Sequence, residues 1–226
     1  MAGKTPSATP EGTAKARRSQ YGRGVSERGR RMRALLLASA RQVFERDGYL
    51  DARVADIVQL AGVSHGTFYT YFDSKLEVFR ALINEVSEEV VDALTVPLGG
   101  DSDTSTSDFA ARLDLSNRRF LDVYRKNHAM LRLMEQVATI DPQVGEQRVF
   151  HRRVHVERIS ASIRKLQGRG LVDRDLDART AAAALAAMVG NFAYYWFAMG
   201  EPFDEELAKA TLHRMWLGAI GYHDAR

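Results

Sequence analysis

The sequence predicts an all-α chain, in which a small N-terminal group of three helices precedes a larger helical bundle. Three observations predict it. Apolar residues recur at three- and four-residue steps from Met32 onward, no segment alternates at period two for more than a few residues, and Gly, Pro and Asp fall where such helices would start and stop. With 226 residues, 45% hydrophobic and 27% charged, the chain can bury a sizeable core, which excludes wholesale disorder. The absence of cysteine from the sequence excludes disulfides, thiolate nucleophiles and cysteine-ligated zinc.

Residues 1–26 are rich in Gly, Ser, Thr, Pro, Ala and basic residues and have almost nothing to bury, so they are expected to form a flexible basic arm. Met32, Leu35, Leu36, Ala40, Val43 and Phe44 then mark the buried stripe of a first helix that should end at Asp47-Gly48. A second short helix is expected over Arg53–Ala61 and a third over Ser64–Tyr71, separated by Gly62. Phe72, Asp73 and Ser74 interrupt the pattern before Leu76, Phe79, Ile83, Val86, Val90 and Leu94 restart it. Residues 97–108 read as a polar loop. Helical periods follow around Leu113–Tyr124 and again around Leu131–Val137. Asp141-Pro142 has the form of an N-cap with proline in the first turn, and Asp177 and Asp204 are placed to cap the last two helices. The expected units are therefore an arm (1–26), a three-helix domain (27–75) and a bundle (76–226).

Thr180–Gly200 carries no charge for 21 residues, which is long enough to cross a bilayer. Its alanines, Asn191 and two tyrosines weaken transfer into lipid, so an interior helix, or one packed against a second copy of the chain, is expected instead of a membrane span. The N-terminus lacks the apolar core of a secretion signal, and a cytoplasmic location is expected.

Charge is unevenly distributed. Residues 1–33 hold nine Lys/Arg against two Glu, a net of +7, whereas the other 193 residues carry 23 basic and 27 acidic groups, a net of −4. Contact with a polyanion must therefore be local. The place for it is the pair of short helices joined by Ala61-Gly62-Val63, the size of a helix-turn-helix. Ile57, Val58, Ala61, Val63 and Phe68 supply a small core, while Ser64, His65, Gly66, Thr67, Tyr69, Thr70 and Tyr71 form the opposite, polar flank. A polar, narrow helix of this kind suits the major groove of DNA.

The strings FERDGY and DIVQLAGVSHGTFYTYFDSK, above all GTFYTYF followed by SK, resemble the DNA-binding domain of the TetR family of bacterial transcriptional regulators. The resemblance implies an all-helical homodimer that binds a double-stranded operator of near-palindromic sequence. It also implies a C-terminal domain that takes a small effector and dimerises through its last two helices. Carried over by position, His65, Gly66, Thr67, Tyr69, Thr70 and Tyr71 fall on the recognition helix, Ser64 caps it, and Lys75 falls on a lysine that touches the DNA backbone. Where the family has a threonine pair this chain has Ala52-Arg53, so Asp51 is expected to cap the second helix and Arg53 to reach DNA. A repressor released by an apolar effector is expected, with an activator as the alternative, and no catalytic role, cofactor or metal. Aromatic and Met side chains abound between residues 109 and 200. Phe120, Tyr124, Met134, Phe150, Phe192 and Trp196 are the candidate effector contacts, although ordinary core packing explains any one of them equally well.

Three other patterns were weighed. Gly62-Val63-Ser64-His65-Gly66 spells the GxSxG of serine hydrolases, but its context is helical where that chemistry needs a strand. His151 and His155 share a helix face at metal-ligand spacing, yet position 152 is Arg, not a Glu base. Asp173, Asp175 and Asp177 echo a calcium loop but lack its glycine and closing glutamate.

Overall fold

The computed structural model describes residues 26–94 and 106–222, with the side chains of 106–108 left aside. The expected arm, and most of the expected loop at 97–108, lie outside the described residues. Among those described there is no strand, and the helices run α1 Glu27–Asp51, α2 Val54–Ala61, α3 His65–Tyr71, α4 Lys75–Ala93, α5 Thr106–Ala138, α6 Pro142–Gly168, α7 Ala178–Ala193 and α8 Glu205–Ala219.

Local chemistry sets most boundaries. Asp141 accepts hydrogen bonds from the amides of Gln143 and Val144, Asp177 from Thr180, and Asp204 from Leu207, so each carboxylate satisfies amides that open a helix. Gly62 ends α2 in the left-handed region at φ 66°. Gly48, at φ 77° and ψ 174°, breaks the helical backbone of α1 where the sequence predicts its end, and one further short turn carries the chain to Asp51.

Two expectations are corrected. Asp51 does not cap α2: the residue at the N-cap is Arg53, which makes no side-chain cap bond. The two periods expected over residues 113–137 form one continuous helix, in which the intervening Asn127 is fully buried and hydrogen-bonded to Arg41 and Glu89. The helix that Asp177 opens is α-helical to Ala193 and continues as a π turn over Tyr194–Ala198.

The head, α1 to α3 with the start of α4, closes on Phe44, Ile57, Phe68, Phe72 and Phe79, all buried. Phe44 and Phe79 meet edge to face at 5.2 Å, and Phe68 and Phe72 lie 5.8 Å apart. Behind it α4 packs on α5, α5 on α6, and α6 on α7, while α8 lies against α5 and α7. Ala178–Ala198 is long and apolar enough to cross a membrane, but Ala182, Leu185, Val189 and Ala193 face the bundle core.

Candidate nucleic-acid interface and interior cavities

The recognition helix owes its start to one serine. Ser64 Oγ accepts from the Thr67 amide at 3.1 Å and lies 3.0 Å from Thr67 Oγ1, holding the first turn closed. Phe68 anchors the inner side with no exposed surface, whereas Ser64, His65, Gly66, Tyr69 and Thr70 are exposed and Thr67 and Tyr71 are half-buried. The chain itself does not require glycine at position 66, where a Cβ would meet only Ser64 Oγ at an ordinary 3.7 Å. The polar flank read from the sequence is thus brought together on one open face, and Arg53 is exposed at the start of α2 nearby.

Lys75 is placed otherwise. Its ammonium donates to the carbonyl oxygens of Tyr49 at 2.7 Å, Leu50 at 3.1 Å and Ala52 at 2.9 Å, and sits 4.7 Å from the Tyr49 ring centroid. All three protons are used within the chain. Burial holds this amine below the usual lysine range, with Asp51 acting in the opposite sense. Lys75 ties the end of α1 to the start of α4 instead of presenting a free cation to a phosphate. Beside it Ser74 Oγ accepts from the Glu77 amide and the Glu77 carboxylate accepts from the Asp73 amide, which fixes the turn after α3.

Two polar joints link head and bundle. Arg41 Nη2 donates to Asn127 Oδ1 at 2.8 Å, and Asn127 Nδ2 donates to Glu89. Arg80 donates to Gln143 and Gln147, and Gln147 Nε2 returns bonds to the Arg80 carbonyl and to Asn84 Oδ1, which also meets His151 Nε2 at 3.0 Å. No sequence signal marks these pairs, whose members lie 38 to 86 residues apart. His151 is thus held to α4, while His155, one turn on, has an unpartnered ring nitrogen. Among the described residues no cluster of metal-binding side chains forms. Asp173 Oδ1 accepts from the Asp175 amide in a turn, and Asp177 caps α7.

The expected effector residues are not gathered in one place. Tyr124, Met134 and Phe192 line a broad concavity of about 1270 Å³, and Phe120 lines a smaller one of about 70 Å³. Phe150 and Trp196 line neither: Phe150 is 62% exposed on the outside of α6, and Trp196 stacks on Phe197 at 4.4 Å. The broad concavity is mainly a groove between two unpartnered helix faces. Ala184, Ala187 and Asn191 of α7 and Leu207, Thr211 and Met215 of α8 line it, all exposed, Leu207 by 68% and Met215 by 50%.

A helix-turn-helix with a sealed core, an exposed polar recognition helix and a helical bundle behind it defines a DNA-binding transcriptional regulator. Residues 36–82 match the family described as bacterial regulatory proteins, tetR family. The HTH-type transcriptional activator FasR of Mycolicibacterium smegmatis is 29% identical over 213 residues, 91% of this chain and 93% of that one. The HTH-type transcriptional regulator TtgR of Pseudomonas putida is 25% identical over 80% of this chain and 88% of its own. A solved TetR-family regulator from Syntrophomonas wolfei superimposes with a TM-score of 0.69 at 18% identity, covering 85% of this chain and 96% of that one. Residues 36–82 thus match the DNA-binding domain of the tetR family, and over most of its length the chain is similar to transcriptional regulators of the helix-turn-helix type.

Proposed function

We propose that this regulator binds a near-palindromic operator as a homodimer, with α3 of each copy in the major groove. The observation that carries the reading is the exposed flank of α3, held at a fixed angle by Ser64 and Phe68. His65 and Thr70 serve as base-edge contacts, Thr67, Tyr69 and Tyr71 grip phosphates together with Ser64 and the open backbone at Gly66, and Arg53 adds a charged contact. The units are the arm, the head to residue 75 and the bundle from 76 onward. The second copy covers the α7 and α8 faces, since an exposed apolar run of this size on a single chain marks an interface. Two heads then stand about one helical turn of DNA apart.

Effector binding in the bundle alters head spacing only as far as the ligand binds the two shapes unequally. Release from the operator, hence repression, is the favoured outcome, and action in the cytoplasm follows from it. Activation is the second reading, favoured by the similarity to the Mycolicibacterium smegmatis transcriptional activator FasR. Binding sites selected from random DNA, followed by gel shift at graded salt, test the proposal. A palindromic consensus and an affinity that falls steeply with salt support it; a flat salt response or an asymmetric half-site bound by one copy overturns it.

A further inference from the structure

The small cavity differs in kind from the broad groove. It lies between the end of α4 and helices α5 to α8, and its walls are mainly apolar, including Leu113, Phe120, Leu185 and Trp216. Two polar atoms in those walls have no partner among the described residues, although each is sealed from solvent: Asn117 Nδ2 on α5 and His155 Nε2 on α6. Asn117 is only 7% exposed. A buried amide donor or imidazole nitrogen is normally paired, and an unmatched one in a wall of apolar groups is aimed at something that is not part of the fold.

The surroundings restrict what that is. Burial, reinforced by Arg152 and Arg158, pushes His155 down to about 4, so its imidazole is neutral near pH 7. Among the described residues no carboxylate lines the cavity, so a cation finds no counter-charge. Arg158, the charged residue of its lining, is exposed and already engaged within the chain. A volume of about 70 Å³ is several times what one water needs and suits a small ring or the head of a longer molecule.

We infer that this cavity binds a small, uncharged molecule through a carbonyl oxygen, which accepts hydrogen bonds from Asn117 Nδ2 and His155 Nε2 while its apolar body packs on Phe120 and Leu185. Treating this molecule as the effector rests on the regulator reading above. The placement favours that role, because Leu94 at the end of α4 borders the cavity and Lys75 at the other end of α4 holds the head.

Cyclopentanone, cyclopentane and cyclopentanecarboxylate are matched probes, to be titrated into the full chain while the Asn117 side-chain amide is followed by NMR. Cyclopentanone is expected to shift that amide and to bind at least tenfold more tightly than either of the others. Asn117→Leu is expected to remove the tenfold preference over cyclopentane, with His155→Phe as a second variant should the first fail to fold. Equal binding of ketone and hydrocarbon, tighter binding of the carboxylate, or an unmoved Asn117 amide overturns the inference. Operator binding is measured on the same samples. Ketone binding without DNA affinity sinks the regulator reading and leaves the site standing, whereas DNA affinity with a silent Asn117 does the reverse.

Discussion

The head and the bundle solve opposite problems. In the head the polar groups are closed on one another: Ser64 and Ser74 each hold an amide of the helix they open, and Lys75 spends three protons on three carbonyls. In the bundle polar atoms are left unmatched inside among the described residues, at Asn117, His155 and His213, and apolar side chains such as Leu207 and Met215 are left uncovered outside. A reading head must keep one shape, so its free energy goes into self-satisfaction. On the function proposed above, the bundle is completed from outside, by a ligand within and by a second copy without.

Substitutions can break this contrast. The largest effect is expected at Phe68, where Phe68→Ala empties the centre of the head and should cost about 3 to 5 kcal/mol in denaturant unfolding, with loss of operator binding. Asn117→Leu in the bundle should be neutral or stabilising in the same assay, because it removes an unmatched amide; equal losses at the two sites would erase the distinction. Next comes Lys75→Met. Leaving three carbonyls without their donor should cost about 2 to 3 kcal/mol, and the dependence of DNA affinity on salt should keep its slope. A shallower slope would return Lys75 to the phosphates.

The pH response sharpens the contrast from the bundle side. His155 has its folded pKa lowered to about 4 from an ordinary 6.5, so below pH 6.5 the unfolded chain binds a proton that the folded chain refuses. Stability should therefore be unaffected above that point and fall by roughly 3 kcal/mol as pH drops to about 4. Thermal melts of His155→Phe should lack that component. A smaller effect is expected at the recognition helix itself: Ser64→Ala should lower stability by about 1 kcal/mol through the lost cap and weaken DNA binding modestly. Tyr69→Phe should leave stability within about 0.5 kcal/mol and show only in DNA affinity, read by anisotropy with labelled operator.

How much was legible beforehand follows the range of the interaction. Asp141, Asp177, Asp204 and Ser64 were identified as caps because an N-cap acts on amides two or three residues away. Arg53 in place of Asp51 at the head of α2 shows the limit of such reasoning, since the backbone there is fixed by Lys75, which donates to the Ala52 carbonyl from 23 residues away. The polar flank of α3 was legible for the same local reason that Phe68 was: seven residues make two turns, and one apolar ring decides which side is in. The bundle was less so. The six candidate aromatic and Met side chains there gave no way to tell a cavity wall from ordinary packing, and Phe150 proved to face solvent.

By itself the chain determined its helices, their caps and the chemistry of the reading face, because each depends on neighbours within a few residues. Which buried nitrogens lack a partner, which apolar faces stay uncovered and that Lys75 is a clasp were decided only in three dimensions. Those properties are differences between what a group can bond and what the fold happens to bring to it, and the second half of that difference is written nowhere along the sequence.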